Sequence, residues 1–354
     1  MKRFLLILLL TSTAQAALLE YYIDPDVVGG LGDGSSWANA YSSLNACEAA
    51  RAQDLTDSGG DTMIWWCRAS SGTADTTAVT IDGNTEDATH YLTIRGYDFP
   101  SDGVYDATKY RMLNDDAAAE AISISDTYTR LQNLQVVVNC SGTNTRRGIR
   151  RSGSAASAIY ISNCLVVAGS SMTGTGTAIG IAWADAGSTV TIYNTVVSGF
   201  ISASSPADTD FYGCFLYSGT CYLYNCTLYG NSVGIEAGPF AGVDVTVTNI
   251  ISGNANDDFV CTLGTITIDY CASDDGDGTN PVAPSGGNWA NEFVNAAGGN
   301  FALKAGGNCV NGGTDNPGSG LYLDDIIGTT RVTPWDIGAF EIAGVGVKYF
   351  LFIE

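Results

Sequence analysis

Residues 159–169, "IYISNCLVVAG", set Asn163 and Cys164 between two apolar runs. Versions of the phrase recur as "RLQNLQVV" (130–137), "TIYNTVVS" (191–198), "YLYNCTLY" (222–229) and "TVTNIISG" (246–253), giving Asn at 133, 163, 194, 225 and 249. The steps are 30, 31, 31 and 24 residues, followed by 21 to a related "TIDYCASD" centred on Tyr270. A phrase repeated at such intervals marks a solenoid, in which each repeat is one coil and stacking completes a shared core.

The flanking residues fix the element type. Leu131, Ile161, Ile192, Leu223 and Val247 stand two before the Asn, and Gln132, Ser162, Tyr193, Tyr224 and Thr248 one before it. This alternation is that of a strand with one buried face. After the Asn the buried set restarts at once with Leu134, Cys164, Thr195, Cys226 and Ile250, then Val136, Val166, Val197 and Leu228. The Asn is therefore a corner, and a one-residue corner calls for positive φ, which Gly adopts freely and Asn tolerates. "LTIRGYD" (92–98) places Gly96 at the same position. Stacked Asn amides are expected to hydrogen-bond between coils, and Tyr270 to turn differently. Coils in register about 4.8 Å apart make a parallel β-helix, here of roughly seven or eight turns.

Composition agrees with an all-β chain. Gly is abundant at 43 of 354 residues, and strand and turn formers outnumber Lys and Glu. The formal charge of −22 repels phosphate backbones and argues against nucleic acid as a partner. Lys2 and Arg3, the apolar run 4–10 and Ala14-Gln15-Ala16 read as a signal peptide over residues 1–16, so a secreted or cell-surface protein beginning near Ala17 is expected. No later segment reaches the roughly 20 apolar residues of a membrane span. The single His, His90, argues against a His-based zinc site or a Ser-His-Asp triad and reads as a structural residue beside a strand.

Both ends sharpen the reading. "YYIDPDVVGGLGDGSSWANAYSSLNACEAA" (21–50) resembles the opening segment of exported right-handed parallel β-helix proteins of the pectate-lyase-like superfold. "NFALKAGGNCVNGGTDNPG" (300–318) and "DIIGTTRVTPWDIGAFE" (325–341) resemble the closing segment of the group called choice-of-anchor Q. The resemblance implies one β-helix domain over 17–341: a cap to about 60, coils over about 61–290 and a closing segment over about 291–341. Residues 342–354 form an apolar tail. "SSLNACEAARAQ" (42–53) has helical spacing and a Ser start, fitting a short helix that caps the N-terminal end.

The superfold hosts lyases, hydrolases, adhesins and inert stalks, so activity must come from a site. Polygalacturonase-like members carry a Gly-His-Gly, which this chain lacks. Pectate-lyase-like members use Ca²⁺ held by carboxylates with an Arg or Lys as base, and similar ingredients occur here. "NTRRGIRRSG" packs Arg146, Arg147, Arg150 and Arg151 into six positions, a subsite for an acidic sugar or a solvated loop. Asp208, Asp210, Glu236, Asp257 and Asp258 introduce successive coils along one edge and suit Ca²⁺, although Asp also favours turns. The weak catalytic candidates are Arg147, Arg150, Asp210 and Asp258. Asp24, Asp26 and Asp33 form another possible Ca²⁺ set, while "DDGDGTN" (274–280) reads as a turn. Tyr160, Tyr193, Tyr222 and Tyr224 face outward, either as sugar platforms, with Tyr193 and Tyr224 chosen, or as a structural ladder. No cofactor is required, and Ca²⁺ is the ion the acids suit. The first expectation is a protein binding a polysaccharide or cell-surface glycan, adhesive or surface-structural in role; the second is a Ca²⁺-dependent polysaccharide lyase.

Ten Cys in an exported chain suggest disulfides. Cys164, Cys226 and Cys271 share one inward column but lie about 9 to 10 Å apart where two coils separate them. That exceeds the roughly 7 Å reach of a bridge, so these three are expected free. Bridges are expected among Cys47, Cys67, Cys140, Cys214, Cys221, Cys261 and Cys309.

Overall fold

Each repeat phrase forms two strands meeting at the corner residue, as Ala158–Ser162 and Leu165–Ala168 do on either side of Asn163 and Cys164. The computed structural model describes residues 17–57, 60–153, 156–203, 210–238, 240, 242–318, 320 and 322–343. Residues 1–16, where the sequence reads as a signal peptide, and all but two residues of the apolar tail lie outside this set. Asn133, Asn163, Asn194, Asn225 and Asn249 all have φ between 47° and 55°. Tyr270, contrary to expectation, makes the same corner at φ 50°. Its N–H continues the inter-coil ladder to the Thr279 carbonyl at 3.0 Å, so the neighbouring rung imposes the conformation.

Gly96 corrects the alignment argument. It is not in the left-handed region; a Cβ there would lie 1.9 Å from the Asn133 carbonyl oxygen of the next coil. Close backbone approach, rather than positive φ, requires glycine at that point.

The coils have three faces, each a ladder of parallel strands. The first runs through Leu18–Ile23, Thr62–Cys67, Leu92–Gly96, Arg130–Gln132, Ala158–Ser162, the later parts of Ala178–Tyr193 and Phe211–Tyr224, Val243–Thr248 and Thr265–Asp269. The second, entered at the corner residue, holds Met112–Asp115, Gln135–Asn139, Leu165–Ala168, Val196–Ser198, Thr227–Tyr229 and Ile251–Gly253. The third holds Val79–Ile81, Glu120–Ile124, Arg146–Arg151, the early parts of the two long strands, Val233–Ala237 and Asp257–Cys261. These ladders make a parallel β-helix that runs from Leu18–Ile23 at one end to Thr265–Asp269 at the other.

Packing follows the alternation. Leu131, Ile161, Ile192, Leu223 and Val247, and the residues just after each corner, are at most 2 % exposed. Each large aliphatic side chain buried this way contributes about 1.5 to 3 kcal/mol, realised only when the next coil covers it. On the third face Gly148, Gly180, Gly213 and Gly234 stack in one column, each with a Cβ position 2.5 to 2.8 Å from the next rung's carbonyl oxygen. All ten cysteines are free thiols, so the expected bridges do not form. Nine are buried, and burial pushes the thiols of Cys164 and Cys226 up to about 12. They serve as small apolar filling.

The ends are capped as the sequence suggests. The helix Leu44–Arg51 starts at Ser43, whose hydroxyl accepts the Ala46 N–H at 3.1 Å. At the other end the closing segment turns back along the outside of the second face. Phe293, Phe301, Ile326, Ile337 and Phe340 cover the outward side chains of Leu165, Val196 and Ile251. The Asn column meets this segment instead of forming a continuous amide ladder. Asn249 does donate to Asn225 at 3.0 Å, but it also exchanges bonds with Thr314, while Asn194 donates to the Asp324 carbonyl and accepts from buried Arg331. Among the described residues no helix is long and apolar enough to cross a membrane.

The corner geometry sets an expected mutational ranking at Asn163, whose Oδ1 is buried without a partner among the described residues. Asn163→Gly should change stability by less than about 1 kcal/mol, whereas Asn163→Val should cost about 2 kcal/mol or more in urea unfolding, because a β-branched residue resists positive φ.

Candidate functional site

The four arginines lie on a third-face strand, Arg146–Arg151, not in a solvated loop. The strand gives them different environments. Arg146 is held by Asp116, its Nε donating at 2.5 Å and its Nη2 reaching the Asp116 carbonyl at 2.8 Å. Arg151 points into the solenoid, fully buried, and pairs with Asp185 at 2.9 Å while donating to the Asp126 carbonyl at 2.6 Å. Neither is placed to bind substrate. An inward-facing Arg is tolerable only because its charge and N–H groups are matched.

Arg147 and Arg150 differ. Both contact Glu120 Oε1, at 2.9 and 2.8 Å, so two guanidinium groups share one carboxylate. They line an outward cleft of about 420 Å³ with Ala184, Tyr217, Ser218 and Phe240. Arg150 is 35 % exposed and Phe240 56 %. The cleft thus has a net positive end and an aromatic rim, features suited to an anionic sugar. Tyr217 also packs against a buried apolar cluster of Ile179, Ala182, Tyr212, Phe215 and Val233.

On the other side of Glu120, a second cleft of about 370 Å³ is lined by Glu48, Asp82, Glu120 and Ser123. Glu48 comes from the capping helix, where Leu44, Cys47 and Glu48 form its buried side. Its Oε1 accepts the N–H groups of Asp82 and Gly83, and its Oε2 is buried without a partner among the described residues. Burial, above all, raises its pKa to about 7, leaving a carboxyl able to give or take a proton near neutrality. The sequence pattern contained a signal for it: a Glu on the apolar side of a capping helix.

The acids expected along one edge separate into two places. Asp208 lies outside the described residues. Asp210 and Glu236 come together around Tyr212; burial first, then the Asp210 charge, raise the Glu236 pKa against hydrogen bonds from Thr262 and Tyr212. Asp257 accepts its own strand's Phe259 N–H at 3.2 Å. Asp258 turns inward, 1 % exposed, its Oδ1 accepting the N–H and Nδ2 of Asn254 at 3.0 and 2.9 Å. Burial and the adjacent Asp274 carboxyl raise its pKa. The loop that reads as a simple turn in the sequence supplies its neighbours, with Asp258, Asp275 and Asp277 oxygens all within 4.8 Å of one another.

Register separates the Arg cleft from the Glu236 group. Arg150, Ala182, Phe215 and Glu236 occupy one column of the third face. Three rungs of about 4.8 Å put Arg150 and Glu236 about 14 Å apart, with Phe215 between them. They share a face but stand on coils three rungs apart, so the Arg cleft and the Glu236 group are separate features of that face. Tyr193 and Tyr224 are also reassigned: Tyr322 of the closing segment packs on them, with ring centroids 3.9 and 5.6 Å away. Asp24, Asp26 and Asp33 serve local structure; Asp24 pairs with Arg68 at 2.9 Å, and Asp26 and Asp33 accept backbone N–H groups.

No protein-family model and no curated protein matches the chain. Among solved structures, pectate lyase Pel9A is similar over 94 % of this chain and 98 % of its own, at 16 % identity and a TM-score of 0.38. A likeness at that level carries no argument about activity. The strand pairing itself defines the class: a parallel β-helix.

Two outcomes follow from these environments. Arg151→Ala should cost about 3 to 5 kcal/mol because it leaves Asp185 charged and buried, whereas Arg150→Ala should stay within about 1 kcal/mol; urea unfolding compares them. Carbon-13 NMR of the Glu carboxyls should show Glu48 titrating near pH 7. Since its folded pKa lies above the unfolded value of about 4.5, its contribution to stability is full below about pH 4.5 and declines as pH rises through about 7.

Proposed function

We propose that this chain is an exported protein that binds an acidic polysaccharide or cell-surface glycan along its third face. The observation that carries the reading is the sharing of Glu120 by Arg147 and Arg150, which among the described residues leaves one unmatched positive charge in an aromatic-rimmed cleft of a chain with formal charge −22. A guanidinium binds carboxylate or sulfate in two-point contact, and the surrounding negative surface disfavours anions that lack such a complementary fit. Tyr217 and Phe240 supply faces for sugar stacking. Rungs about 4.8 Å apart are commensurate with the length of one sugar unit, so a rigid solenoid suits a repeating chain. The leader-like residues 1–16 support export.

The test is calorimetric titration with oligosaccharides of uronic acids, sulfated oligosaccharides and neutral glucans. An acidic class should bind and the neutral class should not, and Arg147→Ala and Arg150→Ala should each weaken binding by about tenfold or more, equivalent to about 1.4 kcal/mol. Rising salt should weaken it as well. Unchanged affinity in both variants would remove the Arg cleft from the account. Unsaturated products accumulating in the ultraviolet on incubation with polyuronate would replace binding by elimination.

A further inference from the structure

The three faces of the solenoid do not end together. The first continues past Thr265–Asp269 to a bridge at Thr279, and the second continues through bridges at Ala272 and Val282. The third stops at Asp257–Cys261. Between Ala272 and Thr279, where the next third-face strand would lie, the chain instead makes the loop "SDDGDG" (273–278), with Gly276 and Gly278 at φ 77° and 79°. Ser273 Oγ accepts the N–H groups of Gly276 and Asp277, both at 3.1 Å, and curls the loop back.

This loop meets a buried polar relay. Asn231 donates to Asn254 at 2.9 Å, and Asn254 donates to Ser252 at 2.8 Å and to Asp258 Oδ1 at 2.9 Å. One carboxylate oxygen of Asp258 is thereby fixed. The other, Oδ2, is buried without a hydrogen-bond partner among the described residues, with the Asp274 carboxyl adjacent to Asp258, and Oδ2 of Asp277 is likewise buried without a partner among them. Asp258 is 1 % exposed, and oxygens from Asp258, Asp275 and Asp277 lie within 4.8 Å of one another. Three carboxylates brought together beside a buried carboxylate oxygen repel one another, and a cation between them would relieve that repulsion.

We propose that Asp258, Asp275 and Asp277 bind one Ca²⁺ that ties the loop 273–278 to the exposed edge of the third face. The ligand chemistry favours this ion: Ca²⁺ accepts an irregular all-oxygen set from carboxylates on a loop and a strand, whereas Mg²⁺ demands near-ideal octahedral geometry and keeps several waters. The glycine-containing loop supplies the adaptable side of the site, and the Asn254-anchored Asp258 the rigid side. The ion lies apart from the Arg cleft, so the inference is independent of glycan binding.

The experiment uses the full chain stripped with chelator. Isothermal titration with CaCl₂ should show one site, and the thermal midpoint should rise with millimolar Ca²⁺ and return on chelation. Asp258→Asn and Asp275→Asn should each weaken Ca²⁺ binding by about tenfold or more. Asp275 is exposed, so its variant tests the site without disturbing the core. Absence of Ca²⁺ binding to the folded stripped chain, or undiminished binding in Asp275→Asn, overturns the proposal. An equal thermal shift with Mg²⁺ overturns the assignment to Ca²⁺.

Discussion

Each coil must close on itself and advance by one strand spacing. The residue that allows this is the corner between the first and second faces, held at φ near 50° in every described coil from Asn133 to Tyr270. A corner outside the left-handed region would take more residues and shift the second face out of alternation, turning Leu134, Cys164, Thr195, Cys226 and Ile250 away from the core. The inward columns, the stacked outward side chains and the Arg cleft all inherit their spacing from that turn.

The corner was legible because its physical demand is local. Asn at a break in alternation points to a turn of positive φ, whatever its side-chain amide goes on to bind. The capping helix was legible for a similar reason: Ser43 and the spacing of Leu44, Cys47 and Glu48 act within a few residues. Gly96 shows the limit of such reasoning. The residue type was compatible with positive φ, but its cause is the Asn133 carbonyl of the next coil, a contact that only register reveals. Tyr270 is the converse, a poor residue for the corner held there by its neighbour.

The site was less legible because a run of like charges hides division of labour. Arg146, Arg147, Arg150 and Arg151 look alike in sequence, yet the strand buries one, ties one to Asp116 and leaves two sharing Glu120. Helpful signals did exist. The pairs Gly148-Ile149, Gly180-Ile181, Gly213-Cys214 and Gly234-Ile235 mark the same point of the third face in successive coils. Their common pattern places the strand holding Arg147 and Arg150 on that face. The grouping of Asp258 with Asp275 and Asp277 was hidden because the loop stands where a strand is missing, and absence of a strand leaves no periodic trace.

The closing segment has a bearing on the order in which the molecule can be completed. Arg331, whose side chain is fully buried, reaches Asn194 from 137 positions later in the chain and also holds Glu341 and the Gly338 carbonyl. The middle coils can pair as they emerge from the ribosome, since each needs only its neighbour. Their corner amides and outward apolar side chains nevertheless wait for residues synthesised last. A chain cut short before Arg331 would therefore be incomplete at its centre as well as at its end.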